Sequence, residues 1–175
     1  MAITHGLQIT PAVYDNLPDI AQLHVTSWKQ AYVGQVPQQY LDNLDVAARL
    51  RAWQEQFPNR DVSGLLMAKV DDTTTGFVCF GPPRDKDRQN YGEVYAIYVL
   101  KEYWGCGIGY ALHKEASAAL RAKGFQRAYL WVLDTNHRAI AAYERWGGVV
   151  ERSHLKDHVI GTHPVKEVSV LFTLT

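Results

Sequence analysis

The stretch with the clearest chemical potential is Trp104-Gly105-Cys106-Gly107-Ile108-Gly109, followed at once by Tyr110 and a helical pattern. Glycines at a strand-to-helix turn let backbone N–H groups come close to a ligand, and the N-terminus of the helix behind them favours negative charge. Such a turn suits a phosphate, and a pyrophosphate better than a bare carboxylate. The same residues also suit a tight turn whose glycines only permit close packing of helix on sheet, and spacing alone leaves both readings open. Two nucleotide signatures fail. A dinucleotide fingerprint begun at Gly105 meets Tyr110 where its third glycine belongs, and a phosphate loop begun there fails at the same residue. A phosphate loop begun at Gly76 reaches Gly81 but then meets Pro82 in place of lysine. Hydride transfer and nucleotide hydrolysis therefore lose their usual marks.

Asn136 and Tyr143 stand seven residues apart, which is two turns along one helix face. Taken alone, Asn136 reads as a helix cap and Tyr143 as a core residue beside Ala139, Ile140 and Trp146. Seven histidines raise the question of a metal. His154 and His158 are four apart and His163 is near, but no H-E-x-x-H pattern or cysteine cluster accompanies them, so no metal is expected. They read as surface or loop histidines, or as residues on the acceptor side of a cleft. Cys106 has no histidine paired with it by a local signature and reads as a small residue beside phosphate. Arg84-Asp85-Lys86-Asp87-Arg88 alternates in charge and reads as a solvated loop, with the rim of a substrate cleft as the lesser alternative.

The elements that must position these residues follow from periodicity. His5 to Thr10 reads as a short strand, and Asp15 to Tyr32 as a helix on the spacing of Ile20, Leu23, His24 and Ser27 or Trp28. Pro37 opens a second helical region through Leu41, Leu44, Leu50 and Trp53 to Pro58. Gly64 to Val70 and Gly76 to Phe80 read as a hairpin. Tyr91 to Val99 is apolar on both faces, with Val94, Ala96 and Tyr98 opposite Tyr95, Ile97 and Val99, so it belongs at the centre of a sheet. A helix spans Ile108 to Lys123, with Gly124 as its stop, then a strand from Ala128 to Leu133 and a helix from Asn136 to Trp146. Val149 to His154 and Val165 to Thr173 close the order as strands. The pieces Asp71 to Gly76, Gly81 to Asn90 and Lys156 to Pro164 read as loops. The expected class is α/β (α+β): a mixed central sheet of about six or seven strands flanked by about four helices.

A chain of 175 residues is the size of one domain, and residues 1–175 read as one. Eighteen Lys+Arg balance eighteen Asp+Glu, so no net basic field draws the chain toward nucleic acid or an anionic membrane. Two cysteines are too few for a disulfide framework. The start carries no basic region followed by an apolar run, and no stretch is apolar enough to span a bilayer, so a cytoplasmic protein is expected.

The strand ending Ile97-Tyr98-Val99, the Gly107-x-Gly109 turn opening a helix, and Asn136 with Tyr143 downstream together resemble the GNAT-type N-acetyltransferase superfamily. The resemblance covers nearly the whole chain in order of elements and is strongest from Gly92 to Gly148. Ser27-Trp28-Lys29-Gln30-Ala31-Tyr32, followed by Pro37 and Tyr40-Leu41-Asp42, is similar to one frequent subgroup. It implies an N-acetyltransferase that moves the acetyl group of acetyl-CoA directly to a primary amine of a small molecule in a ternary complex. The alternatives are a peptide or protein N-acetyltransferase, and a non-catalytic acyl-CoA sensor. No metal, nucleic acid or membrane partner is implied, and a homodimer is an open alternative on general grounds.

The resemblance also implies roles. The pyrophosphate loop, Q/R-x-x-G-x-G/A in the family, falls on Trp104, Gly107 and Gly109, so Trp104, Gly105, Cys106, Gly107, Ile108, Gly109 and Tyr110 are expected at the cofactor. Trp104 departs from the usual Gln or Arg. Ile97, Tyr98 and Val99 are expected to pair with the pantetheine arm where the strand splays from its neighbour, a backbone N–H near Val99 polarising the thioester carbonyl. Asn136 is expected on the cofactor arm, and Tyr143 at both the cofactor and the departing thiolate, to which it donates a proton. Glu93 is the expected base for the amine, directly or through water. Trp28, Tyr32 and Tyr95 are expected at the acceptor.

Overall fold

The computed structural model describes residues 6–57 and 64–175 of the chain. In order they form β1 (Leu7–Pro11), α1 (Leu17–Ala31), α2 (Gln38–Asp42), α3 (Val46–Gln56), β2 (Gly64–Val70), β3 (Thr73–Gly81), β4 (Gly92–Val99), α4 (Ile108–Ala122), β5 (Arg127–Leu133), α5 (His137–Arg145), β6 (Val149–Ile160) and β7 (His163–Thr173). The strands make one seven-stranded sheet in the order β1-β2-β3-β4-β5-β7-β6. Every neighbouring pair is antiparallel except β4 with β5, so the sheet is mixed and β4 sits at its centre.

Helices cover both faces. On α4 the residues Ile108, Leu112, Ala116 and Leu120 recur every fourth position and are all buried, which sets one apolar stripe against the sheet. With Ala139, Ile140 and Tyr143 of α5 they pack on Val78, Phe80, Val94, Leu130 and Val170. Fully burying a leucine of this kind contributes roughly 1.5–3 kcal/mol. On the opposite face Leu17, Ile20, Ala21 and Leu23 of α1 and Trp53 of α3 pack on Leu65, Met67 and Phe77. A third cluster, Val36, Leu41, Leu133 and Ile160, ties α2 to the end of β5 and to the tip of the β6–β7 hairpin.

Four sequence expectations need correction. The helical region after Pro37 is two helices, because the Asp45 side chain accepts from the N–H of Ala47 and Ala48, each at 3.1 Å, and so caps a fresh start. Its expected end at Pro58 lies outside the described residues, as does His5 of the first strand. The segment Lys156 to Pro164 is the end of a long hairpin, not a loop: β6 and β7 stay paired as far as Ile160 opposite His163. Residues 152–159 are exposed on both faces, so they lack the alternation that marks a half-buried strand. His154, His158 and His163 are accordingly strand residues.

The third correction concerns β4. The register with β3 runs Cys79 opposite Ala96 and then Phe80 opposite Val94, which leaves Tyr95 as an extra, bulged residue. Val94, Ile97 and Val99 therefore face α4, while Tyr95, Ala96 and Tyr98 share the α1 side. The expected strict alternation is broken at that one residue. The fourth correction is to the charged run 84–88, in which Arg84, Lys86 and Asp87 stay exposed but Asp85 and Arg88 pack against the sheet. Arg88 lies 4.7 Å over the Tyr129 ring and 5.3 Å over Trp131, and donates to Glu151 at 2.7 Å.

Candidate active site

The central pair of strands opens a cleft. β4 and β5 are paired only at Gly92 opposite Ala128 and Glu93 opposite Tyr129, although β4 continues to Val99 and β5 to Leu133. Beyond Glu93 the two strands part. The N–H of Leu100 donates to Thr75 at 3.0 Å on the β3 side, so by alternation the peptide groups of Ile97 and Val99 face the gap. Tyr98 differs from its two neighbours. Its backbone is paired with Phe77, and its side chain lies among the aromatics of α1. The gap is part of a cleft of about 990 Å³.

At one end of the cleft the glycine turn leads into α4. Gly105 and Gly107 adopt φ of +77° and +88°, conformations that side chains rarely take, and Gly107 is the residue before the first helical turn. The first N–H of this region to find a helical partner is that of Ala111, donating to the Gly107 carbonyl at 3.0 Å. The N–H groups just before it are the unpaired donors that every helix start leaves. Trp104, where the family pattern has Gln or Arg, donates its indole N–H to the Val99 carbonyl at 2.8 Å. The Arg138 guanidinium lies 3.5 Å over the Trp104 ring, so a cation from α5 stands where the loop itself has none. Neither Arg138 nor Arg145, which also lines the cleft, has a carboxylate partner among the described residues. Cys106 is half-buried with its thiol toward the Trp104 carbonyl. Ile108 is a buried core residue and Tyr110 an exposed one.

Asn136 and Tyr143 lie on α5 and both border the gap. The Asn136 side chain accepts from the Ala139 N–H at 3.3 Å, so the residue does cap its helix. Tyr143 is 8% exposed, with its ring edge-on to Trp146 at 5.3 Å. Its hydroxyl makes no hydrogen bond to the described residues. Burial pushes the Tyr143 hydroxyl well above its usual range, the nearby Tyr98 adds to this, and Arg138 opposes it.

The acceptor half lies on the α1 side of β4. Trp28 and Tyr32 meet edge-on at 4.8 Å, and the hydroxyls of Tyr32 and Tyr98 are 3.2 Å apart. His24 stacks on Tyr98 at 5.2 Å and accepts from Trp53 Nε1; burial, aided by the Arg49 charge, lowers it to about 3. Tyr95 lies under the Arg84 guanidinium at 4.8 Å, and burial pushes its hydroxyl up to about 12. Glu93 is 1% exposed. Its carboxylate accepts from Arg84 Nη2 at 2.6 Å, Arg84 Nε at 3.0 Å, the Arg84 N–H at 2.8 Å and the Tyr129 hydroxyl at 2.9 Å. Asp85 accepts from Trp131 Nε1 at 2.7 Å and from Lys156 at 3.2 Å. Burial alone would raise the Asp85 carboxyl, but these donors hold it below the usual range.

All the expected site residues except Cys106 and Ile108 border this one cleft. Sequence reasoning missed His24, Arg49, Tyr129, Arg138 and Glu167 at the site. Arg138 had an available signal, since it is the second residue of a helix already assigned to the cofactor. Arg49 and Glu167 are brought in by α3 and β7, and no local pattern announces them. No group of three His, Cys, Asp or Glu among the described residues is arranged to hold a metal ion, and no helix among them is long and apolar enough to cross a membrane.

Comparison with known proteins agrees with this geometry. A structure of PaiA N-acetyltransferase from Thermoplasma acidophilum, in complex with coenzyme A, superposes with a TM-score of 0.67 at 21% identity, covering 93% of this chain and 97% of that one. A putative acetyltransferase from Salmonella typhimurium, solved with acetyl-CoA, gives a TM-score of 0.70 at 18% identity over 98% of this chain and 95% of that one. An uncharacterized N-acetyltransferase, YuaI, of Bacillus subtilis is 31% identical over 129 residues, 73% of this chain and 72% of that protein. The sequence profile described as the acetyltransferase (GNAT) family matches residues 20–148, and with the parted central strands and the glycine turn it settles the matter: the chain belongs to the GNAT family of N-acetyltransferases.

Proposed function

We propose that the chain transfers an acetyl group from acetyl-CoA to the primary amine of a small molecule bound on the α1 side of β4. The observation that carries this reading is the parting of β4 and β5 beside a helix start with left-handed glycines. Its free strand-edge groups suit the amides of a pantetheine arm, and its helix N-terminus suits a pyrophosphate. Acetyl-CoA supplies the acyl group and a thiol leaving group. The unpaired Arg138 and Arg145 would add positive charge for its phosphates.

The chain's own part is to orient and to move protons. The Val99 N–H stands ready to donate to an oxygen that gains charge as the amine attacks. Tyr143 holds its proton at neutral pH, the more tightly for its burial, and in this reading gives it up only as negative charge builds on the departing sulfur. Glu93 holds the acceptor wall through Arg84 and Tyr129, and in this reading receives the amine proton through water. Three walls favour a small acceptor over a peptide: α1 with α2, the Arg84–Arg88 segment, and the β6–β7 hairpin, whose Gly161 reaches Tyr40.

Calorimetric titration with acetyl-CoA, with NAD and ATP as controls, tests the donor. Micromolar binding of acetyl-CoA alone is expected. Absence of binding would mean that the glycine turn serves packing only, and the donor assignment would fall.

A further inference from the structure

Two half-buried charges of opposite sign in the acceptor half have no partner. Arg49, on α3, lines the cleft and also an adjoining cavity of about 710 Å³ bordered by His24, Trp53, Pro82 and Tyr95. Glu167, on β7, lines the cleft from the far side of the strand gap. Neither side chain makes an ion pair or hydrogen bond with the described residues. The neighbouring charges are already matched, Arg84 on Glu93 at 2.6 Å and Lys156 on Asp85 at 3.2 Å. A charge drawn partly out of water and left unmatched weakens the fold, and a ligand carrying the complementary charge removes that penalty.

We propose that the acceptor is an amino acid, its carboxylate held by Arg49 and its ammonium received by Glu167. This rests on the N-acetyltransferase reading of the same cleft. Both charges act on one hydroxyl, that of Tyr98, which Arg49 pulls down and Glu167 pushes up against a background of burial. Both side chains line the same cleft as Tyr98. Burial raises the Glu167 carboxyl despite His158, Lys156 and Arg84 nearby, which fits a group able to take up a proton. Trp28, Tyr32 and Tyr98 line that cleft with aromatic rings, suited to an apolar side chain and to an ammonium over a ring face.

The step balances. As the C–N bond forms and the C–S bond breaks, two protons leave the nitrogen. One passes from the ammonium through Glu167 to solvent; the other leaves through water to Glu93 as the amine attacks, and by way of solvent makes good the proton that Tyr143 gives to the thiolate.

The test is thiol release with matched sets: alanine, methionine and phenylalanine, each beside its amide and beside the amine lacking the carboxyl group. A bond to a charged group discriminates by about tenfold or more, so kcat/KM is expected to favour the acids by at least that factor. Arg49→Gln should collapse the acid-to-amide ratio toward one with the acetyl-CoA Kd unchanged, and Arg49→Lys should restore part of it. Acids used no better than amides, no acid acetylated by a protein that binds acetyl-CoA, or an equal fall for all three classes in Arg49→Gln would each overturn the inference. Failure to bind acetyl-CoA would overturn the donor reading instead, and the inference with it.

Discussion

Replacing Tyr143 with phenylalanine removes one oxygen atom and leaves the ring. That ring is 8% exposed, edge-on to Trp146 at 5.3 Å, and part of the α5 packing on the sheet. The hydroxyl has no hydrogen bond to lose, so stability should change by less than about 1 kcal/mol. A positioned general acid accelerates its step by roughly 10²–10⁴-fold. On that basis Tyr143→Phe should raise the barrier by about 3–5 kcal/mol, read as a fall in kcat. Thiol release at saturating acetyl-CoA and acceptor measures kcat, and calorimetry measures the acetyl-CoA Kd, expected within about threefold of the parent. Because burial raises the hydroxyl, the parent's alkaline loss of this acid should begin only above the ordinary tyrosine range near 10. A kcat within threefold of the parent would refute the acid role. So would a fall in kcat mirrored by an equal loss of acetyl-CoA affinity, which would mark Tyr143 as a binding residue only.

Asp45→Ala removes the acceptor for two N–H groups at the start of α3 and should cost about 1 kcal/mol in urea unfolding; an unchanged midpoint would show the cap to be idle. Glu93→Gln keeps the shape of a 1%-exposed side chain but turns an NH2 donor toward the donors of Arg84 or Tyr129, for a loss of roughly 1–3 kcal/mol. Since the Arg84 side chain is 64% exposed, that loss should come from the buried donors more than from the ion pair, and raising salt should shift it little. His24 and His113 are lowered by burial to about 3 and about 4, so below about pH 6.5 the unfolded chain takes up protons that the native one refuses. Stability should therefore fall as pH drops from about 6.5 toward 4, by about 1–2 kcal/mol per histidine by pH 5. His113→Phe should flatten that slope, and a stability that rises on acidification would contradict the burial of both rings.

Local periodicity carried most of the fold. The four-residue stripe of α4, the Asn136 cap and the doubly apolar run of β4 each depend on neighbours close in sequence, and each is where the pattern puts it. What escaped is set by distant partners. Arg84 and Arg88 sit in a run of alternating charge that looks solvated until Glu93, Tyr129 and Trp131 arrive beneath it from other strands. Residues 155–160 form a strand because β7 pairs with them, while the side chains of 152–159 show no buried face. The break between α2 and α3 turns on one aspartate. Arg49 and Glu167 meet in one cleft from positions more than a hundred residues apart, a proximity that only the sheet order creates.

The bulge at Tyr95 makes the Glu93 cluster a lock on strand register. If β4 slid to absorb the extra residue into its ladder with β3, every side chain before Ala96 would change face. Val94 would enter the polar half of the cleft, and the Glu93 carboxylate would be carried toward the apolar layer of Leu112 and Leu120. The four donors that hold Glu93 lie on one side of the sheet only, so the slipped register strands a charge where nothing can meet it. An apolar residue at position 93 would remove that obstacle. Its signature would be two sets of backbone resonances for Gly92–Val99, one strand occupying two registers in a single folded protein.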